Sequence, residues 1–425
     1  MAKNTAKNQT INTSQEAKHS IEISVADLQV GMYVSKLDCD WMDTPFLMQG
    51  FMIENDNHLG LLAEYCNTVW VDKIYKQQLA SGPKDAILHA STIEKQLIHK
   101  KTTADELNSA TGIYAKSKEI TKNLMQQVRL GNAIDSQAAK NLVSDCVTSI
   151  LNNPDALMWV SKIRDQDEYT AEHSVNVCVL TIALARRLGF NEAELNKVGL
   201  CGLLHDVGKL QIDPAILNKT DPLTREEWQI IAAHPANGRN LLMGTPSIYP
   251  GAIDVAYSHH ERIDGKGYPR GLSGSAISTF SRVVAITDAY DAMTANRCYA
   301  SAKSSTDALK VLFHAKDKHF DGKMVDVFMR IIGLYPPGTL VEMKNGCVGV
   351  VLSSNEKKQH LPEVIMCLDK NKNRFAQKTR LDLRRIEDQD LDESYLIKQA
   401  HIDGSFGLQL EEFLEEGFQF KSFAG

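Results

Sequence analysis

No Cys-x-x-Cys pair occurs in the 425 residues, although eight cysteines are present (Cys39, Cys66, Cys146, Cys178, Cys201, Cys298, Cys347 and Cys367). Their scatter argues against zinc ribbons and dithiol redox motifs. Several lie in apolar runs such as Val177-Cys178-Val179-Leu180, where a thiol behaves as a small hydrophobe, and a reducing cytosol suits them. No stretch approaches the ~18 consecutive apolar residues of a membrane span, and residues 1–20 are polar with no apolar core of a secretory leader. We therefore expect a cytoplasmic protein without a membrane span. A basic balance is also missing: the formal net charge is -6. That counts against a nucleic-acid polymer as partner and leaves a small anionic ligand open. With 43% hydrophobic and 24% charged residues, collagenous and wholly disordered classes are without support. The length exceeds one ordinary core and predicts two or three folded units.

Residues 1–20 lack apolar periodicity and read as a disordered lead. Residues 21–85 form the next segment. Up to residue 72, β-type runs such as Met32-Tyr33-Val34 and Val69-Trp70-Val71 alternate with turn signals, which predicts a small α+β unit. In residues 86–150 the spacing becomes helical, with Ile120, Leu124 and Val128 on one face. This is a helical connector or the first helices of the next domain. Residues 151–337 carry five helical patterns and seven histidines, among them His314 and His319. Residues 338–425 turn to β again: Leu340-Val341-Glu342-Met343, the Asn345-Gly346 turn signal and Val348-Gly349-Val350-Val351-Leu352 predict a hairpin. Glu363 to Leu368 supplies a third strand, and the acidic stretch from Glu411 to Glu416 a surface helix.

Metal-type ligands recur across the helical segment. His173 begins a helical pattern with Val177, Leu180 and Leu184, so its imidazole lies on the core face. A lone histidine there is more often a satisfied core residue. His205-Asp206 ends the apolar run from Val198 to Leu204 and precedes Val207-Gly208-Lys209. The pair suits either an ion-paired helix end or a two-metal centre, because a carboxylate has two oxygens and can bridge. Gly208 would let the backbone turn closely, and Lys209 could reach a phosphate. His234 follows a helix that Thr224 and Glu227 cap as a box, with Trp228 and Ile231 at three-residue spacing. Packing against a face kinked by Pro235 explains it equally well. His259-His260 is more particular, since two adjacent histidines ahead of a glycine-rich loop are seldom explained by packing. Asp288 and Asp291 sit in an apolar helix, where carboxylates are costly without cations or hydrogen bonds. A buried ion pair with Arg282 or Arg297 is the alternative. Histidines and carboxylates on separate helices match the way helical cores build dinuclear sites.

Taken in order, residues 167–174, His205-Asp206-Val207-Gly208-Lys209, His234-Pro235, the His259-His260 loop through Gly267-Tyr268-Pro269, and Asp288-Ala289-Tyr290-Asp291-Ala292 resemble the HD-GYP family of phosphodiesterases, a branch of the HD hydrolase superfamily. Residues 21–72 look like the N-terminal domain that often precedes such enzymes. The resemblance implies a mainly α fold: an HD-type helical bundle over residues 151–337, a small α+β N-terminal domain and a small β-rich C-terminal extension. It implies one cation held by His173, His205, Asp206 and Asp288 and a second by Asp206, His234, His259 and His260. Mixed nitrogen and oxygen donors suit two divalent ions, iron or manganese. A water bridging them would act as nucleophile on cyclic di-GMP, giving linear pGpG and then GMP. Lys209 would stabilise phosphoryl charge, Asp167 would protonate the leaving ribose oxygen, and Arg297, Gly267 and Tyr268 would bind substrate. The Gly267-Tyr268-Pro269 loop would also dock a signalling-protein partner.

Three positions depart from the family pattern. Tyr169 stands where some members carry a third-metal glutamate, which is why two cations are expected. Ala300 replaces a basic residue three positions after Arg297, and Lys219-Thr220 stands where Lys-Pro is common. Two other readings stand beside the main one: a phosphodiesterase for cyclic GMP-AMP, and a cyclic-dinucleotide receptor with little turnover.

Overall fold

The computed structural model describes residues 20–39, 44, 51–53, 56–72, 99–163, 169–295, 302–355, 358–416 and 421–422. Residues 1–19 of the expected disordered lead, Asp167, Arg297 and Ala300 lie outside them, and Ser20, the last residue of that lead, begins a strand. The chain divides into two units, Met1–Thr92 and Ile93–Gly425.

In the first unit β1 (Ser20–Ser24), β2 (Tyr33–Leu37), β3 (Phe51–Met52) and β4 (Thr68–Asp72) form an antiparallel sheet in the order β1-β4-β2-β3, with α1 (Asp56–Tyr65) between β3 and β4. Alternation along β4 buries Val69 and Val71, which pair with Ile23 and Ile21 of β1, and Leu62 of α1 is buried with them. This is the α+β unit that the alternating runs predict.

The second unit opens with α2 (Thr103–Arg129), α3 (Ser136–Asn152) and α4 (Pro154–Val160), which pack on one another and on the central helices α5 (Tyr169–Arg187) and α6 (Glu192–Leu204). The face that α2 buries is Leu107, Ala110, Tyr114, Ser117, Thr121 and Leu124. Of the predicted Ile120-Leu124-Val128 stripe, Leu124 is buried and Ile120 and Val128 are partly buried, while Tyr114 donates its hydroxyl to buried Asn176 at 2.7 Å. α5 over residues 171–185 and α6 over residues 198–204 are buried on all sides and form the centre of the bundle, with Glu172, His173, Ser174, Asn176 and Thr181 the buried polar residues of α5. Two glycines of α6 let them meet closely. A Cβ at Gly202 would lie 3.2 Å from the Cys178 Cα, and one at Gly199 would lie 2.8 Å from the Ile182 side chain.

A 3-10 turn (Val207–Gln211) follows, then α7 (Pro214–Leu217), α8 (Arg225–Ala232), α9 (His234–Met243), α10 (Pro250–Ser258), α11 (Thr279–Thr294), α12 (Ser305–His314) and α13 (Gly322–Ile332). The predicted capping box starts α8: the Glu227 N–H donates to Thr224 Oγ1 at 3.2 Å, and the Thr224 N–H donates to Glu227 Oε2 at 2.7 Å. Of the two readings of His234, the packing face running from Trp228 through His234 does not form. α8 ends at Ala232 and buries none of its residues, while His234 opens a separate helix in which Pro235 occupies the first turn, where no amide donor is needed.

Beyond residue 338 come β5 (Leu340–Met343), β6 (Val348–Ser353), β7 (Glu363–Leu368), β8 (Arg374–Asp382), β9 (Ile397–His401), α14 (Glu411–Glu416) and β10 (Lys421–Ser422), with the strands ordered β10-β8-β7-β6-β5-β9. The predicted hairpin is β5–β6, with Leu340 opposite Val350 and Gly346 at φ 86° in its turn. Polar β8 and β9 carry no apolar alternation and were not legible as strands. Val341, Val351, Val364 and Leu381 form the core of the sheet. Trp159 of α4 donates Nε1–H to the Val351 carbonyl at 3.0 Å, and Phe413 of α14 meets the same indole edge-on at 5.6 Å, while Glu412 and Glu416 of the acidic helix pair with Arg374 and Lys378 of β8. Among the described residues no helix is long and apolar enough to cross a membrane.

Candidate metal centre

Each site histidine is placed by a helix end or a core face. His173 lies in the second turn of α5 on the face towards α11. His205 caps the C-terminus of α6, Asp206 starts the 3-10 turn, His234 begins α9, and His259 caps α10 with His260 after it. The Nδ1 atoms of four of these rings point away from the centre. His205 Nδ1–H donates to the Gly202 carbonyl at 2.8 Å, His234 Nδ1–H to Ile231 at 2.7 Å, and His259 Nδ1–H to Ala256 at 3.1 Å, while His173 Nδ1–H donates to Asp291 Oδ2 at 2.8 Å. Carbonyls and carboxylates only accept, so in each neutral ring the proton sits on Nδ1 and the Nε2 lone pair faces inward. This is the tautomer a metal ligand needs.

The Nε2 atoms converge on Asp206 in two sets. Asp206 Oδ2 lies 3.6 Å from His173 and 3.4 Å from His205, and Asp288 Oδ1 lies 3.2 and 3.6 Å from the same two rings. Asp206 Oδ1 lies 3.2 Å from His234 and 3.5 Å from His259, and His234 Nε2 is 3.2 Å from Nε2 of both His259 and His260. In each set the donor atoms lie within 4.8 Å of one another. Donors about 2.1 Å from a shared ion stand about 3–3.5 Å apart, so the spacing fits ligands around a cation. Two observations sharpen that fit. His205 Nε2 and Asp206 Oδ1 are shielded from solvent yet make no hydrogen bond, and lone pairs of His234 and His259 facing at 3.2 Å repel without a positive charge between them.

Electrostatics divide the histidines in the same way. Burial disfavours a charged His173, but Asp206, Asp288 and Asp291 outweigh it and hold its pKa well above the ordinary value. Burial likewise opposes His205, and Asp206 with Asp288 raises it to about 9. His259, buried near His205 and His234, is pushed down to about 4, and His260 falls well below its usual range for the same reasons of burial and neighbouring imidazoles. Asp206 stays ionised despite burial, through Lys209 and the histidines, and Asp288 does so through His173 and His205. Of the two alternative partners for the acidic pair, Arg282 binds Asp321 at 2.7 Å, and Arg297 lies outside the described residues.

A cleft of about 480 Å³ opens over the centre, within the ~300–1,000 Å³ of small-molecule sites. Lys209, His260, Arg262, Lys266, Tyr268, Asp288 and Phe320 line it. Lys209 is ion-paired with Asp206 Oδ2. Tyr268 stacks on His260 with centroids 4.8 Å apart, and burial pushes its phenol up to about 12, so it stays neutral. A Cβ at Gly267 would come within 2.5 Å of the His260 carbonyl, which is why the loop can fold back on the histidine pair.

The structure thus brings His173, His205, Asp206, His234, His259, His260 and Asp288 together, with Lys209, Gly267 and Tyr268 at the cleft. Asp167 and Arg297 are not described. Two contributors were not foreseen in their roles. Asp291 orients His173, and the three-residue offset from Asp288 that puts both on one helix face was the available signal. Buried Glu261 accepts backbone N–H groups of Arg270 at 2.7 Å and Leu272 at 2.8 Å, holding the loop closed. Sequence spacing carried no sign of that.

A helical bundle with this ligand set defines a hydrolase of the HD type. An HD-domain family model matches residues 160–324, and one for a domain of unknown function, DUF3391, matches residues 20–139. A cyclic di-GMP phosphodiesterase of Pseudomonas aeruginosa is 34% identical over 350 residues, covering 80% of this chain and 84% of that protein. The cyclic di-GMP phosphodiesterase response regulator RpfG of Xanthomonas campestris is 38% identical over 35% of this chain and 39% of its own length. A 3'3'-cGAMP-specific phosphodiesterase of Vibrio cholerae is 34% identical over 40% of this chain and 36% of that protein. The chain belongs to the HD-GYP family of HD-domain phosphodiesterases.

Proposed function

We propose that this protein is a metal-dependent phosphodiesterase that hydrolyses cyclic di-GMP to linear pGpG, with GMP the product of a second cleavage. One observation carries the reading: the two oxygens of Asp206 face two separate sets of imidazole lone pairs. His173, His205, Asp206 and Asp288 would hold one divalent cation, and Asp206, His234, His259 and His260 a second, with iron or manganese suited to the mixed donors. Two such cations supply an acidified water and neutralise charge on the phosphate.

The chain's own groups do the rest. Lys209, beside Asp206 at the cleft wall, turns its ammonium to a phosphoryl oxygen as charge builds there. Arg262 and Lys266 on the rim attract the anionic ring, and Tyr268 with Gly267 orders its approach. Water oxygen joins phosphorus as the bond to the ribose 3′-oxygen breaks, and Asp167 returns a proton to that oxygen. Arg297 binds the other phosphate. Residues 151–337 form the catalytic domain, residues 21–85 an accessory domain, residues 86–150 a connector and residues 338–425 an extension. A signalling partner docks at the Gly267-Tyr268-Pro269 loop, where half-exposed Trp228 stands 6.0 Å from Tyr268. The seven described cysteines are free thiols, in keeping with a cytoplasmic location.

Similarity to the Vibrio enzyme favours cyclic GMP-AMP as the second substrate to test. Incubating iron- or manganese-loaded protein with each dinucleotide and resolving products by mass spectrometry should give pGpG, with faster turnover of cyclic di-GMP. Absence of product from either ring in metal-loaded protein would refute hydrolysis, and faster cleavage of cyclic GMP-AMP would reassign the substrate.

A further inference from the structure

A second cluster of reactive side chains lies in the first unit. Cys39 follows β2, and Cys66 sits in the turn between α1 and β4. Their sulfurs are 3.4 Å apart, although the residues are separated by 27 positions. Two features hold them there. Strands β2 and β4 are paired, with Leu37 opposite Val69. Just beyond that pair, Asp38 Oδ2 accepts the backbone N–H groups of Asn67 at 2.9 Å and Thr68 at 3.0 Å, fastening the end of β2 to the turn that carries Cys66. A disulfide bond is about 2.05 Å long, so a small side-chain movement closes the gap.

We propose that Cys39 and Cys66 form a reversible disulfide, a thiol modification site of the N-terminal unit whose oxidant is a small disulfide such as oxidised glutathione. Cys39 is half-buried and accessible, whereas Cys66 is buried, so Cys39 attacks first. Its thiolate displaces one glutathione thiolate and forms a mixed disulfide. The Cys66 sulfur, losing its proton to solvent, then attacks Cys39 sulfur and releases the second glutathione. Two protein thiols become one disulfide, and one glutathione disulfide becomes two thiols. Burial also pushes the Cys66 thiol well up, which makes it the resolving partner rather than the first nucleophile. Asp38 lies beside both sulfurs and makes the trio a conceivable cation site as well. Its Oδ2 is already held by two amides, and among the described residues no fourth donor joins the trio, so the disulfide is the better-supported occupant.

The test uses the full-length protein. It is incubated with oxidised glutathione, quenched in acid, alkylated, digested and analysed by mass spectrometry. We expect a cross-linked peptide joining Cys39 to Cys66 that disappears with dithiothreitol, and that forms at least tenfold faster in native than in urea-unfolded protein. Cys66→Ala should trap glutathione on Cys39, and Cys39→Ser should leave Cys66 unmodified. Recovery of both cysteines as alkylated thiols in oxidant-treated wild-type protein, or equal rates in native and unfolded chains, would overturn the proposal. Stoichiometric zinc retained by the wild type and lost in Cys39→Ser would overturn it in favour of a metal site.

Discussion

Four imidazole rings owe their inward lone pairs to groups outside the proposed metal shell. The firmest of these is Asp291, whose carboxylate receives the His173 Nδ1 proton. Asp291→Asn keeps shape but weakens that acceptor, and metal affinity should fall about 10–100-fold with a parallel loss of hydrolysis, measured by metal titration and product formation. Asp206→Ala removes both oxygens that the two donor sets share, so bound metal should drop sharply and turnover should vanish. Full activity in that variant would exclude the centre. Proton linkage offers an independent check. In metal-free protein the raised pKa values of His205, about 9, and His173 mean that their pairing with Asp206 and Asp288 stabilises the fold fully below about pH 6.5, the value of an unfolded imidazole. That stabilisation is lost as pH rises through 9. The metal-free protein should therefore melt at lower temperature at pH 9.5 than at pH 7. Because ligation needs neutral rings, metal uptake at pH 7 should release roughly two protons, seen by calorimetry in buffers of different ionisation heat.

Elements set these rings in place through backbone contacts as much as through side chains. Gly208 in the 3-10 turn is the sharpest case, because an added Cβ would lie 2.0 Å from the His234 carbonyl and 2.4 Å from the Gly238 nitrogen. Turn and α9 cannot both stay where they are, and the collision falls on the segments that carry Asp206 and His234. Gly208→Ala should destabilise the protein by about 1–3 kcal/mol and reduce metal binding with it. At Gly238 the nearest atom to an added Cβ is 3.3 Å away, and Gly238→Ala should be milder in both thermal melting and metal content. The spacing of Val177, Leu180 and Leu184 placed His173 on a core face of α5, and the box at Thr224 located a helix start. Neither revealed that α8 would stop at Ala232 and that His234 would open a second helix with its Nε2 3.2 Å from Asp206 Oδ1.

Across the second unit, the helical bundle and the C-terminal sheet share a buried seam. Trp159 crosses it with its indole N–H on the Val351 carbonyl, and Asp155 accepts the Ser354 N–H at 2.9 Å. Trp159→Phe keeps the apolar contact and removes one of the two hydrogen bonds that the Val351 carbonyl accepts, the other coming from the Gly338 N–H at 2.8 Å, at a cost of about 0.5–1.5 kcal/mol. The urea midpoint should move down while metal content stays unchanged. A simultaneous loss of metal would show that the seam also supports the centre.

At this scale the amino-acid order alone determined which donor types were available, that they lay on successive helical patterns, and that β-type segments flanked them. Hydrophobic spacing reports which face of an element is buried, and caps report where it starts, because both are set by neighbours within a few residues. What lies across the buried face is set by packing between residues as far apart as His173 and Asp291. Only the tertiary structure therefore decided that Asp206 divides its oxygens between two sets of rings, that Asp291 and Glu261 hold the site from behind, and that Cys39 meets Cys66.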